Sequence, residues 1–101
     1  MLIALIALVA AVGACQGNAG SRTHVVEMRA FAFQPDTVRA AVGDTVVWIN
    51  RDVVPHTATS SDWDSGEMKQ SAEWRLVIES GGEFSYLCTL HPSMTGVVTS
   101  R

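Results

Sequence analysis

The feature that most limits the fold is a strand-like segment that runs straight into a cluster of metal-ligating residue types. Residues 83–88 alternate in side-chain direction, which is the pattern of a β-strand. Cys88 then begins the motif Cys-x-x-His-x-x-Met, which places His91 and Met94 within seven residues of sequence. One turn between two strands can carry all three side chains. The sequence therefore predicts a β-sheet protein with its functional site at one end of the sheet.

From His24 onward, the sequence is typical of short strands joined by turns. Thr45–Asn50 is apolar on both faces, as expected of a central strand, and residues 73–78 alternate between two faces. Gly81-Gly82 is a strong turn signal, and residues 61–72 are predicted to be mainly loop. Phe31-Ala32-Phe33 is expected to supply aromatic core. The pattern predicts an all-β fold, a Greek-key β-sandwich of about six to eight strands.

The residue types in the cluster suit one metal in particular. Two imidazoles and a thiolate, with a weak and distant thioether, form the ligand set of a mononuclear electron-transfer copper. Cys88, His91 and Met94 supply three of these four groups. His56 is the candidate for the fourth, because it follows the predicted central strand where a second strand would reach the same end as Cys88. Pro55 precedes it and stiffens the approach.

Each of these residues also has an ordinary structural interpretation. A lone Cys is more often a buried thiol, a lone Met is more often core packing, and a lone His is more often a hydrogen-bonded strand residue. Their joint placement favours a site. His24 opens a strand beside the leader and is expected to be solvated, whereas Met28 and Met68 are expected to be packing or surface residues.

Five motifs, in this order, resemble the small blue copper proteins, the cupredoxins, and most of all their amicyanin and plastocyanin group. The resemblance covers about residues 24–100, and the short Cys-x-x-His-x-x-Met loop is similar to that of amicyanin. The motifs are Phe31-x-Phe33-x-Pro35-x-x-Val38, Gly43-Asp44-Thr45-Val46-x-Trp48-x-Asn50, Pro55-His56, Gly82-x-Phe84-x-Tyr86-x-Cys88 and Cys88-Thr89-x-His91-Pro92-x-Met94-x-Gly96.

The resemblance implies a type 1 site with one copper ion. His56, Cys88 and His91 would be the equatorial ligands, and Met94 the axial ligand. Tyr86 looks like the family's tyrosine corner, a residue of the fold and not of the chemistry.

The resemblance also implies a monomeric electron carrier and not an enzyme. One electron would pass to and from redox proteins such as a cytochrome, a dehydrogenase or an oxidase. The family exposes the edge of the ligand at His91 through an apolar patch, whose rim would be Pro55, Leu90 and Pro92. A patch of low charge favours brief encounters over tight binding.

Other copper functions fit the sequence less well than electron transfer. A copper store, sensor or chaperone at the cell surface is the main alternative, but such proteins often use Met- or His-rich tracts, which this sequence lacks. Multicopper oxidases flank the Cys with His, where this chain has Leu87 and Thr89. A binuclear copper centre needs a second Cys close to the first, and the sequence has none near Cys88.

Residues 1–14 are predicted to be a signal peptide. Residues 1–21 carry no charged side chain, and residues 2–12 are almost entirely apolar. That run is short of the roughly 20 residues of a spanning helix but typical of a secretory signal. Val12-Gly13-Ala14-Cys15 resembles a bacterial lipobox, in which the signal is cut before a Cys that receives a lipid. No Lys or Arg precedes the apolar run, which departs from the charged start that such signals have. The alternative to a lipoprotein signal is a plain secretory signal with an incidental Cys.

The predicted organisation is then a flexible tether at residues 15–23 and a copper-binding domain at residues 24–101. The protein is expected to be exported, either to the periplasm or to a membrane where a lipid on Cys15 anchors it facing outside the cytoplasm. Its net charge of −3, with seven basic and ten acidic residues, gives no basic surface for nucleic acid.

Overall fold

A computed structural model describes residues 20–101, which fold into two packed β-sheets. The first sheet has the order β2-β1-β4-β5 and the second has the order β3-β7-β6. This confirms the predicted all-β sandwich of six to eight strands. The strands are β1 (Thr23–Arg29), β2 (Ala32–Gln34), β3 (Thr37–Ala40), β4 (Thr45–Asn50), β5 (Glu73–Val77), β6 (Gly82–Cys88) and β7 (His91–Ser100).

The leader predictions fall almost entirely on residues that this structure does not describe. The proposed signal peptide and Cys15 lie outside the described residues, and β1 begins at Thr23, the last residue of the proposed tether. Residues 20–101 contain no helix that is long and apolar enough to cross a membrane.

Strand β4 is the interior strand that its sequence predicts. It pairs in parallel with β1 and antiparallel with β5. Its register places Trp48 beside Val26 on one side and Trp74 on the other, and Trp48 is fully buried. Because both faces of β4 are covered, an apolar side chain is favourable at nearly every position.

Aromatic side chains join the two sheets in the core. The ring of Tyr86 on β6 meets Trp48 at a centroid distance of 5.4 Å and Phe33 at 4.6 Å, both edge to face. Gly96 lies opposite Tyr86 on β7, and a Cβ there would come within 2.5 Å of the Tyr86 ring. The close approach of these two strands therefore depends on glycine.

Tyr86 belongs to the fold as expected, but its hydroxyl does not act as a tyrosine corner. Among the described residues, the buried hydroxyl of Tyr86 has no hydrogen-bond partner. Its surroundings are aromatic and apolar, and burial raises the pKa of Tyr86 to about 12. The stabilising effect of this residue is therefore ring packing and not a bond to the backbone.

The segment between β4 and β5 has no regular strand, but it is fastened at several points. His56 and Met68 exchange backbone hydrogen bonds of 3.1 and 2.8 Å. Thr59 does the same with Leu87 on β6, at 2.9 Å in both directions. The predicted loop at residues 61–72 thus folds back along the segment that carries His56 and holds it beside the end of β6.

The opposite end of the first sheet is braced by Asp44. Its carboxylate accepts hydrogen bonds from the backbone amides of Arg22 and Ala41, each at 2.9 Å, and lies 2.8 Å from Nε2 of His24. The bond from His24, followed by those from the two amides, lowers the pKa of Asp44 to about 2. His24 is only 24% exposed, so the prediction of a solvated His was wrong.

Candidate metal centre

The fold brings His56, Cys88 and His91 together at one end of the sandwich. Cys88 ends β6, His91 begins β7, and His56 lies on the fastened segment between β4 and β5. The Nδ1 atoms of the two imidazoles are 3.2 Å apart, and Sγ of Cys88 lies 3.8 Å from Nδ1 of His56 and 3.6 Å from Nδ1 of His91. His56 and Cys88 are fully buried, whereas His91 is partly exposed.

These three atoms fit a single metal ion. A triangle with sides of 3.2, 3.6 and 3.8 Å has a point equidistant from its corners, and that point lies about 2 Å from each, comparable with bonds from zinc to imidazole and thiolate. Two imidazoles and one thiolate in a trigonal arrangement are typical of an electron-transfer copper site. The predicted gathering of these three side chains is therefore what the structure shows.

Met94 is the fourth predicted ligand. It lies on β7, three residues after His91, and it is 3% exposed in the same buried cluster as Cys88. A buried thioether on the strand that begins at His91 is suited to the weak axial position. Its assignment to that position stays a prediction.

Thr57 links the two segments that carry the proposed ligands. The amide of Thr57 donates a hydrogen bond to Sγ of Cys88 at 3.3 Å. The hydroxyl of Thr57 accepts a 2.9 Å hydrogen bond from the amide of Thr89. Thr57 therefore fixes both the sulfur and the start of the ligand loop.

The carboxylate of Asp52 contacts Nε2 of His56, whereas Nδ1 of the same ring faces Cys88. Nε2 of His56 lies 2.8 Å from Oδ2 of Asp52, and the carboxylate also accepts the amides of Ala30 at 2.8 Å and Phe31 at 2.9 Å. Burial acts to raise the pKa of Asp52, but the hydrogen bonds from Phe31, His56 and Ala30 together lower it. The sequence indicated only a turn at Asp52, since its backbone partners, Ala30 and Phe31, lie 22 and 21 residues earlier in the chain.

Phe31 was predicted to be core, and that prediction was wrong. Its side chain is 53% exposed, whereas Phe33 is buried as expected. Ala30 and Phe31 form the two-residue connection between β1 and β2, with φ of 55° and 60°. This left-handed turn aims the Phe31 ring at the site, edge-on to His56 at 5.4 Å and to His91 at 4.9 Å. The conformation costs a non-glycine residue roughly 1–2 kcal/mol.

Two of the proposed rim residues, Leu90 and Pro92, flank His91 in sequence, and the third, Pro55, precedes His56. Leu90 is 44% exposed, Pro92 is exposed and Pro55 is partly buried. Val53, close to Pro55 in sequence, is 77% exposed. The ligand loop therefore presents apolar surface next to His91, while the docking role of that surface stays a prediction.

The family to which the chain belongs follows from its sequence. The profile of the cupredoxin-like domain matches residues 2–99, nearly the whole chain. The chain is a cupredoxin. Amicyanin of Paracoccus denitrificans is 33% identical in an alignment over 81 residues that covers 73% of this cupredoxin and 62% of that relative. Plastocyanin of a Synechococcus strain is 26% identical in an alignment that is 110 residues long with its gaps. That alignment covers 90% of this chain and 81% of the relative.

Solved structures agree with this cupredoxin's fold. An oxidized methionine-to-leucine mutant of amicyanin superimposes with a TM-score of 0.74 at 28% identity, covering 77% of this chain and 81% of that one. A copper-containing nitrite reductase from Thermus scotoductus has the same TM-score at 24% identity, but only 22% of its chain is covered. That second match shows the fold alone. The chain also spans only 62% and 61% of the length of the two Paracoccus amicyanins.

Proposed function

We propose that this cupredoxin carries single electrons between redox proteins and uses one type 1 copper ion held by His56, Cys88, His91 and Met94. When bound, copper supplies the redox chemistry by cycling between Cu(I) and Cu(II). The observation that carries the proposal is the trigonal arrangement of two imidazole nitrogens and one sulfur, 3.2 to 3.8 Å apart.

The chain's own residues suit fast electron transfer because they hold the ligands in one geometry. Cys88 and His56 are fully buried, so water is excluded from that side of the site. Thr57 fixes the sulfur, and Asp52 fixes the imidazole of His56. Ligands that are fixed before the electron arrives need little rearrangement when the charge at the site changes.

His91 is the proposed point of electron entry and exit. It is the one imidazole of the set that is partly exposed, and Leu90, Pro92 and Pro55 form the apolar surface proposed to receive a partner. Such a contact supports short encounters with a cytochrome, a dehydrogenase or an oxidase, and the domain is proposed to act as a monomer.

Carriage, and not catalysis, is the proposed role. Leu87 and Thr89 stand on either side of Cys88, where multicopper oxidases have His residues that connect the site to further copper ions. The nitrite reductase match therefore concerns the shared domain. Storage or sensing of copper remains the alternative, and rapid electron exchange by the loaded protein separates carriage from it.

The location that supports this role is outside the cytoplasm. The apolar run at residues 2–12 and the lipobox-like sequence ending at Cys15 support export, with a lipid anchor on Cys15. Labelling with a radioactive or alkyne-bearing fatty acid tests the anchor, with Cys15→Ala as the control that abolishes the label.

The visible and EPR spectra of the copper-loaded protein test the proposed site. A type 1 site is expected to be intensely blue, because charge moves from the Cys88 sulfur to Cu(II), and to give a narrow copper hyperfine splitting. A folded protein that binds copper but remains colourless would contradict the proposal. Cys88→Ser is expected to remove the colour while leaving the fold intact.

A further inference from the structure

Asp52 contacts two parts of the site that are far apart in sequence. Its Oδ2 lies 2.8 Å from Nε2 of His56, and its two oxygens accept the amides of Ala30 and Phe31. A carboxylate only accepts hydrogen bonds, so Nε2 carries the proton. That tautomer leaves the lone pair on Nδ1, the atom that faces Cys88 and His91.

The turn held by Asp52 is one that needs holding. Ala30 and Phe31 both adopt left-handed φ values, and neither is glycine. Such conformations persist only where the surroundings fix them. Asp52 supplies an acceptor for both amides of the turn, at 2.8 and 2.9 Å, and its own amide donates to the buried side chain of Asn50 at 2.8 Å.

The same turn reaches the second imidazole. The edge-to-face contacts of the Phe31 ring include both His56 and His91, at centroid distances of 5.4 and 4.9 Å. His91 is the more exposed of the two rings, so its orientation depends more on the few side chains that pack against it. A shift of the turn would therefore move a contact of each imidazole.

We propose that Asp52 is a positioning residue for both imidazoles of the copper site. It fixes His56 by a direct hydrogen bond, and it fixes His91 through the turn that seats Phe31 against that ring. The inference rests on the proposed function, because the two orientations matter only to a bound metal. Cu(II) affinity, reduction potential and the EPR spectrum would then depend on the β1–β2 turn as well as on the ligands.

The test compares Asp52→Asn with Asp44→Asn in the same protein. Asp44 is the matched control because it also binds two amides and an imidazole, but at the opposite end of β4. The measurements are Cu(II) affinity by chelator competition, reduction potential, EPR of the loaded protein and thermal midpoint of the copper-free protein. The substitution at Asp52 is expected to weaken Cu(II) binding by about 10- to 100-fold, as is typical for outer partners of a metal-bound His.

The two substitutions are expected to change different measured properties. Asp52→Asn removes a negative charge near the metal, so it is expected to raise the reduction potential and alter the copper hyperfine splitting. Asp44→Asn is expected to keep both at their wild-type values while lowering the thermal midpoint. The proposal is overturned if Asp52→Asn lowers the thermal midpoint but retains wild-type copper affinity, potential and EPR.

A second variant covers the case in which Asp52→Asn does not fold. Phe31→Leu leaves the carboxylate in place and removes only the ring, and it is expected to change the EPR spectrum and Cu(II) affinity by less than Asp52→Asn. Wild-type values for both would overturn the proposal. A wild-type protein that never forms a blue complex would instead overturn the proposed function, whereas a blue wild type with an unaffected Asp52→Asn overturns only this inference.

Discussion

The two ends of strand β4 carry the same small structure and use it differently. Asp44 precedes the strand and Asp52 follows it, and each carboxylate lies 2.8 Å from Nε2 of a His and accepts two backbone amides. The imidazole at one end, His24, is 24% exposed, whereas the imidazole at the other end, His56, is fully buried. The difference lies in what the second ring nitrogen of each His meets.

At the far end, the pair fastens the start of β1. At the copper end, Nδ1 of His56 points to the sulfur of Cys88 and to a second imidazole, so the same hydrogen bond also sets the orientation of a proposed ligand. An Asp–His contact is therefore not by itself a functional site. It becomes one here because Cys88 and His91 converge on the free nitrogen.

The largest expected difference between the two ends comes from removing each imidazole. His56→Ala is expected to abolish the blue colour and tight copper binding, because two ligands on one loop do not make a trigonal site. His24→Ala is expected to keep both. Titration with Cu(II) followed by visible absorption measures the effect, and an intact blue band in His56→Ala would break the assignment of this ligand.

The next effect concerns the axial position. Met94→Leu is expected to remain blue and to raise the reduction potential by on the order of 60 mV or more, a tenfold change in the one-electron equilibrium. The cause is the loss of a thioether donor to the oxidized metal. Met28→Leu, a buried change in β1, is the control and is expected to leave the potential unchanged. Equal potentials for Met94→Leu and the wild type would remove Met94 from the ligand set.

A smaller effect is expected at the surface. Leu90→Asp is expected to slow electron exchange with a redox partner by about tenfold, which corresponds to about 1.4 kcal/mol, while the spectrum stays the same. Val42 is similarly exposed, at 50% against 44% for Leu90, but lies next to the far turn at Gly43. Stopped-flow kinetics of Leu90→Asp and Val42→Asp separate docking at the copper end from a general effect of charge. Equal rates for the two variants would move the docking surface elsewhere.

The smallest effect concerns acid stability at the far end. The pKa of Asp44 is lowered from 3.8 to about 2 in the folded protein, so its carboxylate stabilises the fold above about pH 4, and that stability is lost as the pH falls towards 2. Asp44→Asn is expected to lower the thermal midpoint at neutral pH and to flatten its decline between pH 4 and 2. Thermal melts of copper-free protein across that range measure this, and a decline as steep as in the wild type would assign the acid sensitivity to another group.

The sequence was sufficient to predict the strands and the gathering of His56, Cys88 and His91, because both leave local patterns. Alternation predicted β6, an apolar run predicted β4, and the spacing of Cys88, His91 and Met94 exposed the ligand loop. His56 needed the further idea that a neighbouring strand ends nearby. Each of these inferences uses residues within a few positions of one another.

The errors concern contacts between distant segments. Phe31 was assigned to the core because an aromatic residue in a strand-like run usually is buried, and no local pattern shows a left-handed turn without glycine. His24 was expected to be solvated because its partner, Asp44, lies 20 residues away. Asp52 binds amides 21 and 22 residues earlier. Such partners depend on the register of β1 against β4, which periodicity does not reveal.

That register has a consequence for folding. Residues 23–28 of β1 each pair with the β4 residue 22 positions later, and the bonds from Arg22 to Asp44 and from Ala30 to Asp52 have the same offset. A chain misaligned by one residue loses the backbone hydrogen bonds to both carboxylates together, and it moves the Ala30–Phe31 turn away from Asp52. Because Asp52 is proposed to position both imidazoles, correctly aligned chains are expected to bind copper more tightly, and copper affinity is expected to report on the alignment of β1 with β4.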